Sequence, residues 1–166
     1  MEYDEFMMEA LKEARAAYDA GEFPVGCILT YEDDILVSGR RSGTTGDNIN
    51  ETDHAEMIAL RRLARINTAI DNRKITLFST LEPCLMCYGA IILSRIEKIV
   101  YAFEDVMGGG TGCDRTTLNP LYQNARISIV PNVMRSESLK LLKNYFSNPE
   151  INYWNGSLLA KYTLDQ

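Results

Sequence analysis

Stretches with apolar residues at helical spacing alternate along the chain with short apolar runs typical of strands, and each stretch predicts one element. Apolar residues recur three and four positions apart between Phe6 and Tyr18. This spacing predicts a helix from about Tyr3 to Ala20, with Gly21 as its terminator. Short apolar runs bounded by turn residues predict strands. These runs cover residues 25–30, 35–38, 75–80, 98–103 and 126–130, and the acidic turn 31–34 joins the first two runs as a hairpin.

A polar loop over residues 40–50 precedes the second predicted helix. This helix is expected to begin at Thr52 or Asp53, because either side chain could accept hydrogen bonds from the free N–H groups of a first turn. The first turn would then contain His54 and Glu56.

Two more helices follow in the second half of the chain. One is expected to begin at Pro83, since the first position of a helix does not need an N–H group. The other lies beyond Pro131, with Ser136 or Ser138 as its cap, and a tail of uncertain role covers 149–166. Strands that alternate with helices predict an α/β domain with helices on both faces of a mixed sheet.

Length and charge limit the number of domains and the kinds of partner that the protein can have. The chain has 166 residues, of which 46% are hydrophobic, enough for one core and one domain over residues 1–166. Seventeen basic and twenty-three acidic residues give a net charge of -6, which disfavours a polynucleotide partner such as tRNA. No apolar run approaches the roughly 20 residues of a spanning helix, and the acidic start is unlike a signal peptide, so we expect no membrane contact and a cytoplasmic location.

A small set of residues carries candidate metal chemistry. Cys84 and Cys87 stand three positions apart at a helix start, where the helix dipole favours thiolates. Two sulfur atoms together with an imidazole favour zinc, and His54 is the only histidine in the chain. Three protein ligands leave the fourth tetrahedral position open to water, as in catalytic zinc sites. Glu56 would then carry protons and would not be a ligand.

His54-Ala55-Glu56 and Pro83-Cys84-Leu85-Met86-Cys87 together resemble the cytidine deaminase superfamily. Two further stretches, 23–26 and 89–96, place the resemblance closest to the branch of tRNA-specific adenosine deaminases and guanine deaminases, over residues 1 to about 146. The resemblance implies a three-layer α-β-α fold around a mixed five-stranded sheet, a homodimer or higher homo-oligomer, and a base pocket over Zn²⁺. It implies the metal ligands His54, Cys84 and Cys87, the catalytic Glu56, and substrate contacts from Val25, Arg41, Ala55 and Pro83.

The expected substrate follows from two departures from that branch. Members of the branch end the second strand in an asparagine that contacts the base, whereas this chain has Arg40 and Arg41 there. A guanidinium only donates hydrogen bonds, while an amide also accepts one, so a different substrate edge would be read. The run 50–53 is also more acidic than in the tRNA enzymes. We therefore expect hydrolytic deamination of a free nucleobase, nucleoside or related amino-heterocycle, with release of ammonia. The alternative is conversion of adenosine to inosine in tRNA.

A further alternative is a zinc-stapled binding module without turnover. Cys27 or Cys113 could complete a closed metal site, and a Cys-x-x-Cys pair also occurs in redox proteins. The open catalytic site is preferred because a structural staple gives no reason for Glu56 to stand beside the ligands.

Three other groups of residues each permit two interpretations. The glycine-rich loop 108–112 lacks the Gly-Lys-Ser/Thr ending of a phosphate-binding loop, so we expect a flexible active-site flap. A basic cluster forms either a nucleic-acid patch or, as we expect, a solvated helix face: Arg61, Arg62 and Arg65. The aromatic residues of the tail either stack on a substrate base or, as we expect, pack against the protein: Tyr153, Trp154 and Tyr162.

Overall fold

The computed structural model describes residues 3–66 and 69–166. The helices are α1 (Tyr3–Asp19), α2 (Ala55–Leu63), α3 (Leu85–Leu93), α4 (Pro120–Gln123), α5 (Arg135–Phe146) and α6 (Leu158–Asp165). The strands are β1 (Gly26–Tyr31), β2 (Asp34–Arg40), β3 (Ile75–Leu81), β4 (Lys98–Phe103) and β5 (Ser128–Val130). All five predicted strands are present, although β5 is shorter than the predicted run 126–130.

The strands form one sheet in the order β2-β1-β3-β4-β5. Strand β1 is antiparallel to β2 and β3, whereas β3, β4 and β5 run parallel. The early hairpin and the mixed strand direction are therefore confirmed.

Helices cover both faces of this sheet because successive strand residues point to opposite sides. Ile28, Phe78 and Val100 join α1 in one cluster of buried side chains. Their neighbours Leu29 and Leu77 join α2 and α3 in the other cluster. This is the three-layer α-β-α arrangement of the expected fold.

The predicted start of α2 is wrong. The helix begins at Ala55, and His54 is its N-cap residue with an extended backbone and no side-chain cap bond. Neither Thr52 nor Asp53 caps the helix, because the Asn50 side chain accepts hydrogen bonds from both of their N–H groups and holds them in a turn.

The start of α3 is displaced in the same direction. Cys84 is the N-cap residue, so Pro83 lies before the helix and not at its first position. Cys84 keeps an extended backbone because it forms an isolated β-bridge with Gly109.

The predicted serine caps of α5 are also wrong. Met134 is the N-cap residue, in a left-handed conformation with φ 53°. Ser136 and Ser138 lie inside the helix, and Ser138 is buried and donates a hydrogen bond of 2.6 Å to the Thr80 carbonyl.

The tail 149–166 contains a helix that the sequence did not predict. Ser157 caps α6 by accepting a hydrogen bond from the Ala160 N–H group. Within the described parts of the chain, none of the helices has the length and apolar character needed to cross a membrane.

Candidate active site

The site is built where α2 and α3 begin. Gly39 of β2 lets α2 approach the sheet, because a Cβ atom there would lie 2.3 Å from the Ala55 carbonyl oxygen and 2.8 Å from the Ala59 nitrogen. The close approach holds the first turn of α2, with His54 before it and Glu56 within it, against the end of β2.

Three candidate metal ligands converge at these helix starts. His54 Nδ1 lies 3.5 Å from the sulfur of Cys84 and 3.5 Å from that of Cys87. Tetrahedral zinc with ordinary bond lengths to nitrogen and sulfur separates such atoms by about 3.6 Å. The donor atoms therefore fit zinc in both chemistry and spacing.

Glu56 lies beside the ligands and is held by its own hydrogen bonds. Its buried carboxylate accepts a hydrogen bond of 2.9 Å from Ser79 Oγ and one of 3.6 Å from the Cys87 thiol. Burial raises the pKa of Glu56 above its ordinary value, against the smaller opposing effects of a backbone hydrogen bond, the charge of His54 and the Ser79 hydrogen bond. A buried carboxyl group with a raised pKa is suited to accept and donate protons.

The ligands influence one another electrostatically. The hydrogen bond from the Cys87 thiol, together with the neighbouring His54, lowers the pKa of Cys84 to about 4. Burial alone would lower the pKa of His54, but the Cys84 hydrogen bond and the charge of Glu56 raise it overall. The arrangement thus favours a thiolate at Cys84, the form that binds metal.

A cleft opens over these residues and contains about 620 Å³ of empty space, counting its open mouth. Three of the four expected substrate contacts line it, namely Val25, Arg41 and Ala55. Pro83 is not among the described residues of its wall; its carbonyl instead accepts a hydrogen bond from the Gly110 N–H group.

Comparison with known proteins decides the family. Residues 1–103 match the sequence model of the cytidine and deoxycytidylate deaminase zinc-binding region. The chain belongs to this deaminase family. It is therefore a hydrolytic deaminase of C–N bonds, and zinc is its cofactor.

Named relatives of this deaminase act on tRNA. The tRNA-specific adenosine deaminase of Bacillus subtilis (strain 168) is 34% identical over 149 residues, which are 85% of this chain and 86% of the relative. The enzyme of the same name from Buchnera aphidicola subsp. Schizaphis graminum (strain Sg) is 36% identical over 151 residues, 86% of this chain and 93% of the relative.

Solved structures agree with the fold. A structure from a study of A-to-I editing by tRNA:A34 deaminases at the wobble position matches the deaminase with a TM-score of 0.64 and 29% identity, over 82% of this chain and 98% of the other. A guanine deaminase from Nitrosomonas europaea matches with a TM-score of 0.65 and 21% identity, over 84% of this chain and 81% of the other. The second likeness concerns the fold alone.

The glycine loop of the deaminase forms part of the cleft wall, which is the place expected of an active-site flap, and its flexibility stays a prediction. Met107 and Gly108 line the cleft. The Glu82 carboxylate accepts hydrogen bonds from the N–H groups of Asp105 and Thr111, and so ties both ends of the loop to the segment before α3. Sequence reasoning missed Glu82 and Asp105, although acidic residues directly after β3 and β4 were an available signal.

The remaining cysteines and arginines lie away from the metal ligands. Among the described residues, the histidine and cysteine atoms that could share a metal belong only to His54, Cys84 and Cys87, so neither Cys27 nor Cys113 completes a closed site. The basic cluster on α2 is an exposed face, as expected. Arg61 pairs with Asp53 at 2.6 Å, and Arg62 donates to the Ser38 carbonyl at 2.7 Å.

The tail aromatics divide between packing and the cleft. Tyr162 packs against Phe103, with ring centroids 6.0 Å apart. Tyr153 and Trp154 pack against each other at 5.5 Å and also line the cleft, together with Leu159.

Proposed function

We propose that this deaminase converts adenosine to inosine in a tRNA. The observation that supports it is the 34–36% identity to tRNA-specific adenosine deaminases over about 85% of the chain. The relatives support this alternative better than the free-base substrate expected from the arginine pair and the acidic charge. A tRNA substrate is consistent with a cytoplasmic location.

In the proposed mechanism, His54, Cys84 and Cys87 hold the metal and Glu56 moves the protons. Bound zinc supplies a nucleophile at neutral pH by lowering the pKa of water. Glu56 takes one proton from the attacking water and passes it to the ring nitrogen. It then takes the second proton from the hydroxyl group newly bound to the ring carbon and gives it to the departing amine. Ser79 donates a hydrogen bond of 2.9 Å to one oxygen of Glu56 and so holds the carboxylate in one orientation. Water replaces the amino group, and ammonia leaves.

A second candidate substrate is a free nucleobase, nucleoside or related amino-heterocycle. One observation favours it: the tail contributes Tyr153, Trp154 and Leu159 to the wall of the cleft that holds His54 and Glu56. Aromatic side chains at this position would enclose an isolated base, and the net charge of -6 disfavours phosphate backbones.

We also propose a homodimer. Leu85 and Leu93 of α3 are exposed and stand eight positions apart, on the same helix face as Gly89. Exposed apolar side chains on one face are typical of a subunit contact.

Side-by-side turnover separates the two substrates. Zinc-loaded protein is incubated with a tRNA that contains adenosine in its anticodon loop, and separately with adenosine, adenine, guanine, cytosine and an aminotriazine. Inosine in the tRNA at a kcat/KM well above that for the small compounds supports the proposal. Ammonia release from a small compound alone supports the second candidate, and inert protein on every substrate supports the binding module.

A further inference from the structure

Arg41 is a buried charge whose hydrogen bonds go to the protein. Its side chain is only 3% exposed. Nη1 donates to the carbonyl of Ser42 and to that of Asp53 at 3.2 Å, directly before His54. Nη2 donates to the Tyr153 hydroxyl at 3.1 Å. The guanidinium therefore braces the backbone that carries His54 and also holds the tail.

Glu51, which also lines the cleft, contacts both Arg41 and Tyr153. The Tyr153 hydroxyl donates to a Glu51 carboxylate oxygen at 2.9 Å, and the same oxygen lies 3.7 Å from Arg41 Nη2. The guanidinium carbon also lies 5.7 Å from the centre of the Tyr153 ring. We call Arg41, Glu51 and Tyr153 the latch.

The segment from Tyr153 to Leu159, called the strap, contributes Tyr153, Trp154 and Leu159 to the wall of the cleft and is anchored differently at its two ends. At its far end Leu159 is buried in the core, and α6 continues to Tyr162, which donates to Glu104 at 2.6 Å. At its near end Tyr153 packs on Phe23 and is held by the polar contacts of the latch. The near end therefore depends on polar contacts, one of which, from Tyr153 to Glu51, is exposed to solvent.

We propose that the latch determines which size of substrate reaches the zinc site. Closed, it keeps Tyr153 and Trp154 in the cleft wall, where they enclose an isolated base or nucleoside. Released, it clears that side of the cleft for a base that is still attached to a polynucleotide. Arg41 acts here as a positioning residue, and the inference rests on the proposed deaminase function without depending on which substrate is preferred.

Tyr153→Phe tests the latch because it removes one hydroxyl group and keeps the ring that packs on Phe23. The kcat/KM values for an RNA stem-loop and for free adenosine are measured on zinc-loaded protein. The ratio of RNA to adenosine is expected to rise about tenfold or more, in keeping with the loss of a charge-assisted hydrogen bond. Amide hydrogen exchange over residues 149–157 is expected to become faster in the same variant.

A neighbouring pair of substitutions supplies the matched control. Arg41→Asn should raise the RNA-to-adenosine ratio and the exchange rate as Tyr153→Phe does. Arg40 was expected to read the substrate together with Arg41, but its side chain is 55% exposed, lies near Glu13 and is not among the residues that line the cleft, so Arg40→Asn should leave both quantities unchanged. Unchanged exchange in Tyr153→Phe and Arg41→Asn would refute the latch. Faster amide exchange with an unchanged RNA-to-adenosine ratio would refute the proposal that the latch selects substrates by size.

If the protein does not turn over either compound, the latch can still be tested by binding. The affinities of the same stem-loop and of adenosine are then compared in place of kcat/KM. A ratio of affinities that still shifts toward RNA in Tyr153→Phe upholds the latch without the proposed substrates, and a constant ratio overturns it.

Discussion

Glu56 is the residue best suited to move protons because its carboxyl group is buried and lies beside the candidate metal ligands. Ser79 holds the Glu56 carboxylate by a hydrogen bond, and burial in the protein raises its pKa. We expect Glu56→Gln to retain about one zinc per chain and to lose about 10²–10⁴-fold in kcat, since proton transfer contributes that much. Metal analysis and steady-state kinetics check both results. Ser79→Ala should lose less activity, and loss of zinc from Glu56→Gln would instead make Glu56 a ligand.

Gly110 supports the metal helix through a close backbone contact. A Cβ atom there would lie 2.6 Å from the Leu85 nitrogen and 2.8 Å from the Cys84 carbonyl carbon. We expect Gly110→Ala to displace the start of α3 and weaken zinc binding by about tenfold or more, as changes around metal ligands do. Gly112→Ala is the control, because nothing lies within 4 Å of its added atom. Competition with a chelator measures both, and equal zinc affinities would contradict the expectation.

At this scale the sequence predicted the candidate metal ligands and Glu56, which the structure places close together, but it did not predict what holds them. Residue types and spacing suffice to propose a zinc site, because few combinations of two thiolates and an imidazole have another use. Residues two apart on a regular helix point in different directions, so spacing alone did not bring His54 and Glu56 together. The structure does so by leaving His54 at the N-cap with an extended backbone. Arg41 was expected to contact substrate, and its bonds to Tyr153 and Asp53 depend on long-range packing that a local pattern does not encode.

Among the helices, α6 depends on an ionic anchor at the end of β4. Arg135 pairs with Glu104, and Tyr162 of α6 donates to the same carboxylate. The Arg135 hydrogen bond lowers the pKa of Glu104 to about 2, from an ordinary value of 4.5. A lowered pKa stabilises the fold fully above the unfolded value of about 4.5 and loses that effect as the pH falls toward 2.

We expect Glu104→Gln to lower the free energy of unfolding by about 1–2 kcal/mol at pH 7, with allowance for solvent screening. The difference between wild type and variant should shrink as the pH falls below about 4.5, because wild type then loses the same interaction. Denaturant unfolding at pH 7 and at pH 3 measures this difference. A difference that stays constant between the two pH values would argue against the anchor.

Local pattern predicted the elements of the central sheet better than it predicted the tail. The run 75–80 is recognised as a strand from its own apolar and β-branched residues, and β3 is buried along its whole length. Helix α6 has eight residues, too few to be stable alone, and it forms because Leu159 is buried in the core and Tyr162 reaches Glu104. Such contacts join residues more than fifty positions apart, so the sequence predicted only a tail there.

At the scale of the whole molecule, the exposed face of α3 is where we propose the subunit contact. Leu93 is the last residue of α3 and is 59% exposed. Cys84 is the N-cap residue of the same helix, and Cys87 lies in its first turn. Burying the Leu93 side chain against a second subunit would contribute about 1.5–3 kcal/mol. We expect Leu93→Glu to convert a dimer to a monomer, and Leu158→Glu, at 58% exposure on α6, to leave it intact. Sedimentation at micromolar concentration measures both variants. A monomeric wild type, or a dimer that survives Leu93→Glu, would mean that this face of α3 does not form the subunit contact.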